Sequence, residues 1–100
     1  MAMFISLVNL TGQGIREFKS SPARAGKFKS MAQKVGVTVK DIYWTLGAHD
    51  AVIFMEAPDD ETATAVMLGL ASLGNVRTQT LRAFTSSEME QIVSKAPSVD

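Results

Sequence analysis

The segment Ala51-Val52-Ile53-Phe54-Met55 is an unbroken apolar run of strand length, set between the turn Gly47-Ala48-His49-Asp50 and the breaker Pro58-Asp59-Asp60. Successive side chains of a strand point to opposite faces, so both faces of this strand are apolar. A half-exposed antiparallel strand alternates apolar and polar residues. A continuous apolar run belongs to a strand covered on both sides. Whatever sheet holds residues 51–55 therefore needs a cover above and below.

The rest of the chain supplies one cover. Phe4 to Leu10 reads as a first strand, and Thr11-Gly12-Gln13-Gly14 as the turn that follows. Ile15 to Lys19 suits a short helical piece. Ser21 as N-cap and Pro22 at the first helical position predict a helix to about Lys34, with Ala25, Phe28, Met31, Ala32 and Val35 on its apolar side and Gly36 as its stop. Val37 to Leu46 reads as the second strand, with Ile42, Trp44 and Leu46 on one face and Val39, Asp41, Tyr43 and Thr45 on the other. Ala51 to Ala57 completes a hairpin with it. Asp59 caps a second helix whose apolar residues run from Ala63 to Leu73, and Gly74-Asn75 ends it. Val76 to Phe84 is the fourth strand. Ser87 with Glu90 has the spacing of a capping box opening a short last helix to about Lys95.

The order is β-α-β-β-α-β with an added C-terminal helix, the ferredoxin-like α+β pattern: a four-stranded antiparallel sheet with two helices on one face. It makes one domain over residues 1–96, with a frayed tail at 97–100. The third strand is central in this topology, and the C-terminal helix is too small to cover the whole second face. A second copy of the sheet, packed face to face at about 10 Å, is the simplest cover. The chain is thus expected to partner itself as a homodimer or larger homo-oligomer.

Composition removes several function classes. Ten basic residues balance ten acidic ones, so the basic excess of a nucleic-acid binder is absent. No long run of one charge suggests a membrane surface. Without cysteine there is no disulfide, thiol nucleophile or Cys-type zinc site. With one histidine a chain cannot build a multi-His metal cluster by itself. No metal and no cofactor is expected. The opening residues lack a basic leader, and their apolar run is short, so a signal peptide or membrane span is not expected and the cytoplasm is the expected location.

Four segments together carry a family resemblance: Ser21-Pro22-Ala23-Arg24, then Tyr43 through Val52, then Glu56-Ala57-Pro58-Asp59-Asp60, and finally Gly74 through Leu81. They resemble the GYD-domain family over about residues 3 to 85. Gly47 and Asp50 match the motif behind that name, and His49 stands where the family has tyrosine. The resemblance implies a fold like that of the dimeric α+β barrels. Barrel relatives include small oxygenases, haem-degrading enzymes and ligand-sensing domains, so it implies no single activity.

Candidate site residues follow from chemistry. His49 beside Asp50 could handle protons near neutral pH, and Tyr43 is a second candidate for that work. As a turn residue, Asp50 equally suits bonding to nearby backbone N–H groups. Tyr43 and Trp44 point to opposite faces, and one of them would line any pocket between sheet and helices or in the barrel centre. Arg16 follows glycine-rich backbone that could hold a phosphate or carboxylate, and Arg82 is a further ligand candidate. The leading functional expectation is an oligomeric domain binding a small apolar or aromatic ligand. A small oxygenase or isomerase using His49 or Tyr43, and a purely structural assembly module, are the alternatives.

Overall fold

The computed structural model describes residues 1–99. The strands are β1 (Ala2–Leu10), β2 (Thr38–Trp44), β3 (Ala51–Ala57) and β4 (Val76–Ala83). The helices are α1 (Gly12–Arg16), α2 (Ser21–Lys34), α3 (Asp60–Ala71) and α4 (Ser86–Lys95), with a 3-10 turn at Phe18–Ser20. The strands form one antiparallel sheet in the order β2-β3-β1-β4, which is the ferredoxin-like arrangement. The expected tail at 97–100 shows no regular structure at 97–99, and its last residue lies outside the described residues.

Register sorts the side chains between the two faces. Phe4 lies opposite Met55 on one side and Arg82 on the other, and Val8 lies opposite Ala51 and Thr78. These belong to the helix-covered face. There Phe4, Val8, Ile53 and Met55 pack with Phe28 and Ala32 of α2 and Ala63, Val66 and Met67 of α3. Met55 is fully buried at the centre. Ser6 is fully buried as well, and its hydroxyl is satisfied by Thr80 Oγ1 at 2.7 Å.

Local signals explain most element ends. Asp59 accepts the Thr62 N–H at 2.7 Å and opens α3, as its sequence position predicts. Gly36 follows α2 with φ +84°, a conformation that favours glycine. Three expectations are corrected. Thr11 is an N-cap rather than a turn residue, because its hydroxyl accepts from Gly14 N and starts α1 at once. The final capping box is Thr85 with Glu88, two residues earlier than Ser87 with Glu90. Both pairs have the required spacing, and the earlier one wins because β4 ends at Ala83. The third correction concerns β2. A register irregularity between Val39 and Asp41 admits Lys40 as an extra residue and turns Val39 to the helix side, opposite Met55.

The helix-free face of the sheet carries Ile5 and Leu7 of β1, Val52 and Phe54 of β3, Tyr43 of β2 and Leu81 of β4. None of these is fully buried, and Tyr43 is 54% exposed. The final helix does not cover them. Among the described residues α4 makes at most marginal contact with any other element, and the molecule is drawn out to 54 × 31 × 19 Å.

Candidate functional site

Two features could carry function: a cavity under the helices and the open face of the sheet. The cavity lies at the end of the sheet where β1 and β2 finish and β3 and β4 begin, and has a volume of about 240 Å³. Its floor is Val8, Ile42, Ala51 and Ile53, and α2 roofs it with Phe28 and Met31. The polar groups at the wall are few, as in small-molecule sites generally.

Trp44 closes one side of the cavity, with its indole Nε1 donating to Ser21 Oγ at 2.9 Å. Asp50 lines the same space, and its Oδ2 accepts the Leu10 backbone N–H at 2.8 Å. Asp50 thus takes the backbone-bonding role that its turn position allows. His49 and Asp50 are not brought together. The His49 ring Nδ1 is 3.0 Å from Asn9 Oδ1, on the side of the open face, and His49 is not part of the cavity wall. Asn9 also donates to the Ala48 carbonyl at 2.8 Å, so it pins the turn and positions the imidazole together.

Tyr43 lies on the open face, edge-on to Phe54 with ring centroids 6.1 Å apart. Arg16 is exposed at the end of α1, away from the cavity wall. Arg82 sits on the helix-side face near the other end of the sheet. Its guanidinium lies 4.5 Å from the Phe84 ring centroid and 5.6 Å from that of Phe4, and it pairs with Glu88 at 3.7 Å. The Thr85 backbone N–H bonded to Glu88 holds that carboxyl below its ordinary range, and the Arg82 charge adds to the effect. Arg82 thereby ties β4 to the start of α4. Of the candidate residues, only Trp44 and Asp50 meet at one cavity.

Arg24 is the site residue that the sequence reading did not single out. It lines the cavity from the first turn of α2. The signal was present: Arg24 stands four residues before Phe28 and seven before Met31, which places a cation on the apolar stripe of the helix.

No helix among the described residues is long and apolar enough to cross a membrane. The sequence matches the family model described as GYD domain over residues 4–93, so the family pattern extends into α4. A Thermus thermophilus protein named glutamine synthetase and cystathionine beta-lyase binding protein is 36% identical over 90 residues, covering 89% of this chain and 95% of that one. The crystal structure of TTHA0845 from Thermus thermophilus superposes with a TM-score of 0.56 at 25% identity, covering 86% of this chain and 96% of that one. The order of strands and helices, the cavity-side Asp50 of the Gly47–Asp50 turn and the extent of the match agree: the chain belongs to the GYD domain family.

Proposed function

We propose that this chain is a non-catalytic binding module that assembles with its own copies through the open sheet face and, as an assembly, docks onto other proteins. The observation that carries the reading is the apolar character of that face, from Leu81 across Ile5, Leu7, Val52 and Phe54 to Tyr43. Contiguous apolar patches of this kind mark interaction surfaces, since monomers rarely leave them in water. A second copy offers the same surface and the same shape, and twofold pairing closes the assembly. The relative named for binding glutamine synthetase and cystathionine beta-lyase supports protein partners of that kind.

Light scattering on the purified protein tests the assembly. The wild type is expected as a dimer or larger closed oligomer at micromolar concentration, and Phe54→Lys as a folded monomer, because the lysine would bury a charge without a partner. A wild-type monomer with an unchanged fold overturns the reading. Titration with purified glutamine synthetase and cystathionine beta-lyase from the same organism then tests the partner class.

A second reading, binding of a small molecule, is favoured by the cavity beneath α2, whose wall is apolar with a few convergent polar groups. The catalytic alternative draws no such support. His49 is bonded to Asn9 on the far side of the sheet edge, and Tyr43 stands on the open face.

A further inference from the structure

We propose that the cavity beneath α2 takes a small uncharged molecule held by its apolar body, and rejects ligands with an ionised head; this deepens the small-molecule reading above and rests on it. The polar groups of the wall are bonded to the protein itself. Trp44 Nε1 donates to Ser21 Oγ at 2.9 Å. Asp50 Oδ2 accepts the Leu10 N–H at 2.8 Å. Asn75 Oδ1 accepts from Gln13 Nε2 at 2.9 Å, and the Asn75 carbonyl oxygen accepts the Thr11 N–H at 3.0 Å. Arg24 Nη1 donates to the Glu17 carbonyl oxygen at 3.2 Å and to Ser20 Oγ, and Nη2 is buried beyond the reach of a group in the cavity.

An ion of either sign finds no partner there. Lys27 is the remaining ionisable residue of the wall, and it is exposed, so its stem lines the cavity while its ammonium stays in water. A cationic head would meet Arg24 and Lys27 against the single carboxylate of Asp50. An anionic head would leave water for the Ser21 O–H alone, a neutral donor, because the Trp44 indole N–H and Arg24 Nη1 are engaged. Taking an ion out of water without a charged partner is strongly unfavourable.

The apolar part of the wall suits a ring. Phe28 and Trp44 line it with aromatic side chains and Met31 with a polarizable thioether, each a favourable neighbour for an aromatic ligand. Val8, Ile42 and Ile53 give the ligand an aliphatic floor.

Volume sets the size. An apolar cavity of about 150 Å³ is enough to bind benzene. By proportion, the cavity of about 240 Å³ here takes a ligand of about ten non-hydrogen atoms.

Ethylbenzene, phenylacetate and phenethylamine, with a common phenyl body and different heads, provide the test. Trp44 is the protein's single tryptophan and lines the cavity, so its emission reports occupancy directly. Calorimetry on the same samples gives an independent affinity. Ethylbenzene is expected to shift Trp44 emission saturably and to bind at least about tenfold more tightly than either ion. Ala25→Leu, which adds apolar bulk to the wall from α2, should weaken ethylbenzene binding at least about fivefold by filling the space. Circular dichroism confirms that the variant is folded. Binding of either ion as tight as that of ethylbenzene overturns the exclusion of charged heads and leaves the small-molecule reading standing. Ethylbenzene affinity untouched by a folded Ala25→Leu puts the ligand elsewhere and overturns the assignment to this cavity. No saturable response to any of the three, by either method, overturns both the inference and the small-molecule reading.

Discussion

Two glycine-to-alanine substitutions, chemically the same change, should move stability in opposite directions. Gly14 is buried in α1, where a Cβ would come within 2.0 Å of the Asn75 carbonyl oxygen and 3.3 Å of Leu10 Cδ2. Ordinary van der Waals contact is beyond about 3.4 Å, so the backbone at Asn75 must retreat by more than about 1 Å. That carbonyl accepts the Thr11 N–H at 3.0 Å, and Thr11 in turn caps α1 and donates its hydroxyl to the Gly74 carbonyl at 2.6 Å. Overpacking costs about 1–3 kcal/mol, and loss of one of these bonds adds roughly 0.5–1.5 kcal/mol. Gly14→Ala should therefore destabilise by about 1.5–4.5 kcal/mol. A domain of this size loses roughly 4–8 °C per kcal/mol, so Tm should fall by at least about 6 °C. Gly26 is exposed in the middle of α2, and a Cβ there meets nothing within 4 Å. Gly26→Ala removes unfolded-state freedom and should raise stability by about 0.5–1 kcal/mol, or roughly 2–8 °C. The assay is thermal and urea unfolding of both variants beside wild type at one fixed protein concentration. A Gly14→Ala melting at or above wild type, or a Gly26→Ala below it, refutes the steric reasoning.

Met55→Ala, at a fully buried position opposite Phe4 and Val39, should cost about 2–5 kcal/mol and lower the urea midpoint with little change in slope. Acid sensitivity should trace in part to Asp59, whose carboxyl is held below its ordinary range by bonds from the Thr62 side chain and backbone N–H. A folded-state pKa below the unfolded one adds stability that is complete above the ordinary carboxylate range, near pH 4, and is lost as pH falls through the folded value. Asp59→Asn keeps a capping oxygen without the titration, so its Tm should decline less steeply than wild type below about pH 4.

Much of the fold was legible because it rests on patterns that local sequence carries. The apolar run at 51–55 announced a central strand, and Asp59 and Gly36 marked helix ends by their own chemistry. The face reversal at Val39 left a mark that strict alternation overlooks: Val37 and Val39 keep one phase, Ile42 and Trp44 the other, and the consecutive polar pair Lys40-Asp41 between them is where the pairing with β3 slips. The site followed the same division. Adjacency suggested that His49 and Asp50 work together, yet the sheet edge passes between them. Asp50 turns to the cavity to bind the end of β1, and His49 turns to Asn9. Arg24 could have been found from helical spacing, since a cation on the apolar stripe of α2 has either to snorkel outward or to find a partner inside.

The last helix bears directly on the proposed assembly. α4 has ten residues, and isolated helices shorter than about 12–15 residues are marginal in water even with good caps. Its capping box and the Arg82–Glu88 pair fix only its first turn. Met89, Ile92 and Val93, which would anchor it on a core, are exposed, and among the described residues α4 makes at most marginal contact with any other element. In the proposed assembly α4 gains its stability from outside its own chain, the open face of a second copy being an apolar surface that needs the same cover. Amides of 86–95 should then be protected from hydrogen exchange in the oligomer and lose that protection in a Phe54→Lys monomer, while β1 and β3 amides keep theirs. Equal protection of α4 in monomer and oligomer would show that the helix stands by itself. Protection in neither would show that the assembly does not engage α4.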